Sequence, residues 1–154
     1  MRRLMTSIVF FLAMPVVAHA QDDMRTVQAG TTSVRAPSGP SLRSIVRAGD
    51  TLYVSGQVGS DPATDEVVSG SISNEVHQTL KHLKRLLESE GASMSHVVKC
   101  TVFLTDIADF DAMNKVYRTF FPENPPARTT VQVAALPDPK AHVEIDCIAI
   151  APAR

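Results

Sequence analysis

Apolar residues recur at steps of three and four between Val76 and Leu87: Val76, Leu80, Leu83 and Leu87, with Lys81, Lys84, Arg85 and Glu88 on the other side. That spacing predicts an amphipathic helix with one buried stripe. Ser71 or Ser73 supplies a start cap and Gly91 a stop. Phe110, Met113, Tyr117 and Phe120 repeat the pattern after Asp106 or Asp109, and Pro122 closes it. Elsewhere the period is two. Residues 41–46 (SLRSIV) and 51–59 (TLYVSGQVG) flank an Ala-Gly-Asp turn and predict a hairpin. VVKCTVFL at 97–104, ARTTVQVAAL at 127–136 and HVEIDCIAI at 142–150 predict three more strands, the middle one reading as buried apart from its arginine.

The predicted order is ββ-α-β-α-ββ, an α+β arrangement with both helices packed on one face of one sheet. The last strand is informative. Val143, Ile145, Cys147 and Ala149 face one way, and His142, Glu144, Asp146, Ile148 and Ile150 the other. Neither side is cleanly polar, and no third helix remains to cover the second. Such a two-sided sheet predicts self-association.

The first residues change the picture of where the domain begins. Residues 1–20 carry Arg2 and Arg3, an apolar run, and Ala18-His19-Ala20, the small-x-small pattern of a cleaved secretory leader. Residues 21–35 are polar and aperiodic, a flexible lead-in, and the domain is expected over 36–154. An exported, periplasmic protein with no membrane attachment after cleavage is the expectation. Removing the leader takes the formal charge from −1 to −3. A mildly acidic chain argues against a nucleic-acid partner.

Two cysteines, Cys100 and Cys147, lie inside strand-like runs. Buried thiols are the ordinary reading there, and an oxidising compartment also permits a bridge. No paired His/Cys motif suggests a metal, and His77 and His82, five apart, read as two solvated histidines.

PPARTTVQVAALP at 125–137, followed by Val143-Glu144-Ile145, resembles the signature of the RidA/YjgF (reactive intermediate/imine deaminase A) family. GDTLYVSGQVG at 49–59, GASMSHVVKCTVFLTDIADF at 91–110 and MNKVYRTFFP at 113–122 support the resemblance, which spans about Ala36 to Ile150. It implies a chorismate-mutase-like α+β fold with a mixed sheet, assembled as a homotrimer with pockets between subunits. It also implies hydrolysis of 2-imino acids of the 2-iminobutanoate or 2-iminopropanoate type to 2-oxo acids and ammonia, without a cofactor.

Arginine suits a 2-imino acid because its planar, permanently charged guanidinium can bond both carboxylate oxygens. The resemblance places that role on Arg128, and on Glu144 the orientation of water and the movement of protons. It places Ser55, Gly56, Thr130 and Asn114 along the pocket. Three positions depart from the pattern. Ser41 stands where deaminase-type members carry a tyrosine, Thr130 where many carry cysteine, and Glu75 where glutamine is common. The alternative reading is a module that binds small carboxylates such as 2-oxo acids without turnover.

Overall fold

A computed structural model of the protein describes residues 43–152. The leader at 1–20, the lead-in at 21–35 and Ser41 lie outside the described residues. Strand β1 (Ile45–Ala48) turns through Gly49, at φ +59°, into β2 (Thr51–Gln57). Helix α1 (Ile72–Ser89), β3 (Val97–Leu104), α2 (Phe110–Phe120), β4 (Ala127–Gln132) and β5 (Val143–Ile150) follow. Short 3-10 turns at Met94–His96 and Ile107–Asp109 lead into β3 and α2.

Ser71 caps α1, its hydroxyl accepting from the Asn74 N–H at 3.3 Å. The expected stripe of Val76, Leu80, Leu83 and Leu87 is buried in full, and Leu86 joins it. Each such leucine contributes roughly 1.5–3 kcal/mol by leaving water. Gly91, at φ +75°, lets the chain leave the helix. On α2 only Met113 and Tyr117 are buried, while Phe110 and Phe120 pack partly exposed against the core.

The sheet order is β1-β2-β5-β3-β4, antiparallel except for the parallel pair β3–β4. The last strand therefore sits in the middle. One cross-strand row on the helix face reads Ile45, Val54, Cys147, Cys100, Arg128 through successive partners. The first four of these are buried and the row ends on the arginine. The opposite face carries Tyr53, Phe103, Glu144, Asp146 and Ile148, and no helix among the described residues lies over it. Tyr53 and Ile150 are 49% and 46% exposed.

Two expectations are corrected. The run 127–136 is not a buried strand: β4 ends at Gln132, lies at the sheet edge and is largely exposed. Only one further ladder bond follows, from the Val133 N–H to the Leu104 carbonyl at 2.8 Å. His82 is not solvated either. It is half-buried, lies 2.9 Å from the Gln78 amide, and burial, followed by the nearby Arg85 charge, pulls its pKa down.

One buried ion pair ties the hairpin to the helix. Arg47 Nε meets Glu90 Oε2 at 3.3 Å, and Arg47 Nη2 donates to the Glu90 carbonyl at 2.6 Å. Arg47 occupies an inward position of β1, where an uncompensated charge would be costly.

Candidate functional site

Arg128 enters β4 directly after Pro125, Pro126 and Ala127, and the register with Cys100 turns it to the helix face. Its guanidinium carbon lies 4.5 Å from the Tyr117 ring centroid and 5.7 Å from that of Phe110. Among the described residues, no carboxylate forms an ion pair with it. A half-buried cation is thus held by aromatic faces, whose negative quadrupole attracts it while its N–H donors remain available.

Around it, Asn114, Tyr117, Arg118, Phe121, Pro125 and Pro126 line an open depression of about 190 Å³. Thr130, two residues along the strand, shares the face through its pairing with Val102. Its hydroxyl is buried and has no hydrogen-bond partner. Arg128, Asn114 and Thr130 therefore form one group.

Glu144 belongs to a second group. It pairs with Phe103 and points to the uncovered sheet face. Its carboxylate lies over Gly56, where a Cβ would fall inside the Glu144 side chain. Only glycine allows that approach. The ladder between β2 and β5 is irregular between Val54 and Gln57, and Ser55 and Gly56 fall in this irregularity beside Glu144. The Ser55 hydroxyl donates to the Arg43 carbonyl at 2.8 Å.

Burial, and after it the charge of Asp146, raises the Glu144 pKa above the ordinary carboxylate value. Asp146 shares the face, as its sequence phase predicts, and accepts from the Thr101 N–H at 3.2 Å. Ser55, Gly56 and Glu144 thus stand together, on the side of the sheet opposite Arg128.

Three contributions were missed by reading residues singly. Tyr117, 2% exposed, forms the platform under Arg128, and burial pushes its hydroxyl pKa far up. Phe110 extends that platform. Their helical spacing marks them as core residues, and only the fold shows that they also carry the arginine.

Glu75 is the third. It is 2% exposed, and its Oε1 accepts from the backbone N–H groups of His142 and Val143 at 2.7 and 3.0 Å. Its Oε2 lies 3.1 Å from His142 Nδ1. The carboxylate thereby fixes the start of β5, two residues before Glu144. The position of Glu75, where the family commonly carries glutamine, was the available signal.

Cys100 and Cys147 are both free and buried. Among the described residues, no cluster of His, Cys, Asp or Glu is placed to hold a metal ion, and no helix is long and apolar enough to cross a membrane.

Fold and site together define a small α+β protein with an arginine held on aromatic rings at one sheet face and a half-buried carboxylate on the other. Comparison with known proteins gives the family. Residues 33–151 match the family described as Endoribonuclease L-PSP, and the chain belongs to this RidA/YjgF family. It is 46% identical over 113 residues to Protein DfrA of Myxococcus xanthus, covering 73% of this chain and 86% of that one. It is 46% identical over 100 residues to the 2-iminobutanoate/2-iminopropanoate deaminase of Rattus norvegicus, covering 65% and 72%. The crystal structure of RidA from the Antarctic bacterium Psychrobacter superposes with a TM-score of 0.73 at 37% identity, covering 80% of this chain and 98% of that one. The mixed sheet with two helices on one face is the expected fold.

Proposed function

We propose that the protein is an imine deaminase that hydrolyses 2-imino acids to 2-oxo acids and ammonia. The observation that carries this reading is Arg128: a guanidinium held on two aromatic rings, with no carboxylate partner among the described residues. Relatives at 41–46% identity bear the name 2-iminobutanoate/2-iminopropanoate deaminase, which supports the substrate class.

The carboxylate of the imino acid pairs with Arg128, bringing the C=N carbon to a fixed place. Glu144, held more basic than an ordinary carboxylate, accepts a proton from water as the oxygen adds to that carbon. It then returns the proton to the nitrogen of the tetrahedral adduct. A second transfer through the same carboxylate moves the adduct's hydroxyl proton to that nitrogen, so that ammonia leaves and the carbonyl remains. Carbon changes no oxidation state, so the step calls for no electron acceptor.

Arg128 and Glu144 reach one substrate when a second copy places its Glu144 face against the Arg128 edge of the first. The uncovered sheet face, with Tyr53 and Ile150 about half exposed, supports that contact. A homotrimer with three shared sites is our reading of the assembly. The leader pattern in residues 1–20 supports an exported, periplasmic location; a mature chain that does not begin at Gln21 would contradict it.

The test generates 2-imino acids with an amino-acid oxidase and traps what escapes hydrolysis. Purified protein should accelerate 2-oxo acid release, and Arg128→Ala should abolish the acceleration. No acceleration with any of several amino acids would overturn the deaminase reading. Stabilisation by 2-oxo acids without turnover would then support a binding module.

A further inference from the structure

We infer that Cys100 and Cys147 are a bridging site: a cross-strand dithiol that closes to a disulfide when the chain folds in the presence of a small disulfide oxidant. The two are direct partners in the antiparallel β3–β5 ladder. Residues so placed have Cα atoms about 4.5–5.5 Å apart, inside the span of about 4.4–6.8 Å that a disulfide bridges. Both side chains point to the helix face, buried in the row between Val54 and Arg128. The backbone need not move. The thiols also sense each other: contact with Cys100 is the largest cause raising the Cys147 pKa, and the reciprocal contact lowers that of Cys100.

In the still-open chain either cysteine can begin the exchange, Cys100 for example. Its thiolate displaces RS⁻ from R–S–S–R, leaving a mixed disulfide. The Cys147 thiolate then attacks the Cys100 sulfur and expels the second RS⁻. The two protons given up by the cysteines end on the two RSH products, and two electrons pass to the oxidant. In the finished fold the thiols are 0% and 2% exposed, so the exchange belongs to folding, before the helices close over the strands. Once formed, the bridge is equally shielded from reductants.

The position gives the bridge a purpose. The loop it closes contains α2 and β4, and with them Asn114, Tyr117, Arg128 and Thr130. Every member of the arginine group lies between the two cysteines in sequence. The Tyr117 hydroxyl, buried without a conventional hydrogen bond, has Cys100 as its neighbour. A covalent tie at the base of this segment holds the platform of Arg128 at both ends.

The experiment refolds denatured, reduced protein with oxidised glutathione, or with excess phosphine reductant. Both samples are then alkylated under denaturing conditions, weighed and digested. The oxidised sample should weigh two hydrogens less than the unalkylated dithiol chain, take no alkyl group, and yield one peptide pair joined through Cys100 and Cys147. It should melt several degrees above the reduced sample, a difference that Cys147→Ala abolishes. Two alkylated cysteines after oxidative refolding, or glutathione left on either one, would overturn the bridging site. A bridged chain that melts no higher than the reduced one would overturn the stabilising role. The mass readout needs only wild-type protein, so a variant that fails to fold leaves the test intact.

Discussion

Arg128 and Glu144 face opposite sides of the same sheet. The arginine continues the buried row of Cys100 and Cys147 toward the helices, and the glutamate pairs with Phe103 on the face without helices. No rotamer change brings them to one small molecule within a chain. If both act on one substrate, each site is shared between two chains.

That relationship gives a complementation test. Arg128→Ala and Glu144→Gln should each be inactive alone. Mixed by unfolding and refolding together, they should regain activity, because one chain's intact Arg128 can meet another's intact Glu144. For a trimer assembled at random, about a quarter of the sites become native, so about a quarter of wild-type turnover should return. No recovery, with mixed trimers confirmed by native mass spectrometry, would place the site within single chains.

The aromatic platform should affect binding more than chemistry. Tyr117→Phe keeps the ring under Arg128 and should hold near-wild-type kinetics. Tyr117→Leu removes a cation–π contact of about 0.5–2 kcal/mol. KM should rise roughly 2–30-fold with kcat little changed. Equal losses in Phe and Leu variants would show that the hydroxyl, not the ring, is what matters.

Gly56 should tolerate no side chain. A Cβ there falls inside the Glu144 carboxylate, so Gly56→Ala must push that carboxylate away from the sheet. Displacement of a proton-transfer group should lower kcat on the order of 100-fold. Circular dichroism should remain native. An active Gly56→Ala would dissociate Glu144 from the chemistry.

The pH profile should carry the signature of Glu144. Its pKa is raised by burial and then by Asp146, so the acid limb of kcat/KM should lie above the ordinary glutamate range. Asp146→Asn keeps an oxygen for the Thr101 N–H and removes the charge. The limb should then move to lower pH. The stability sign is the converse of a salt-bridged acid. A carboxyl raised in the folded state favours folding while protonated, and that contribution is lost as pH rises through its folded pKa.

Glu75 separates an acid from an acceptor. Both backbone bonds go to one oxygen, Oε1, so a glutamine can supply the same acceptor. Glu75→Gln should cost less than about 1 kcal/mol, while Glu75→Ala strands the buried Val143 N–H and the part-buried His142 N–H and should cost about 1–3 kcal/mol. Urea denaturation of both variants measures the difference. Equal losses would mean that the charge, through His142 Nδ1, is what counts.

The helices and their stripes were legible in the sequence because their period is local: Val76 to Leu87 needed no partner to be read. So was β3, whose bounds at 97 and 104 are those of its apolar run. Strand order was not legible. Nothing in residues 143–150 announces a place between β2 and β3, since strand neighbours are fixed by packing rather than by the strand's own pattern. The same applies to β4: its run after Arg128 reads as a buried strand, but it became an exposed edge. At the site, the family resemblance pointed to Arg128 and Glu144, while their facing emerged only from the ladder register. Arg47 and Glu90 show the remaining gap, because two charges 43 residues apart give no local sign that they will be buried together.

The central position of β5 also sets the order in which the molecule can become whole. The β1–β2 hairpin and the β3–α2–β4 unit are synthesised first, yet neither contacts the other through the sheet until residues 143–150 slide between them. The final strand is a keystone. Without it the two half-sheets would share no strand pairing, and the packing of α1 on α2 and β2 would be what joins them.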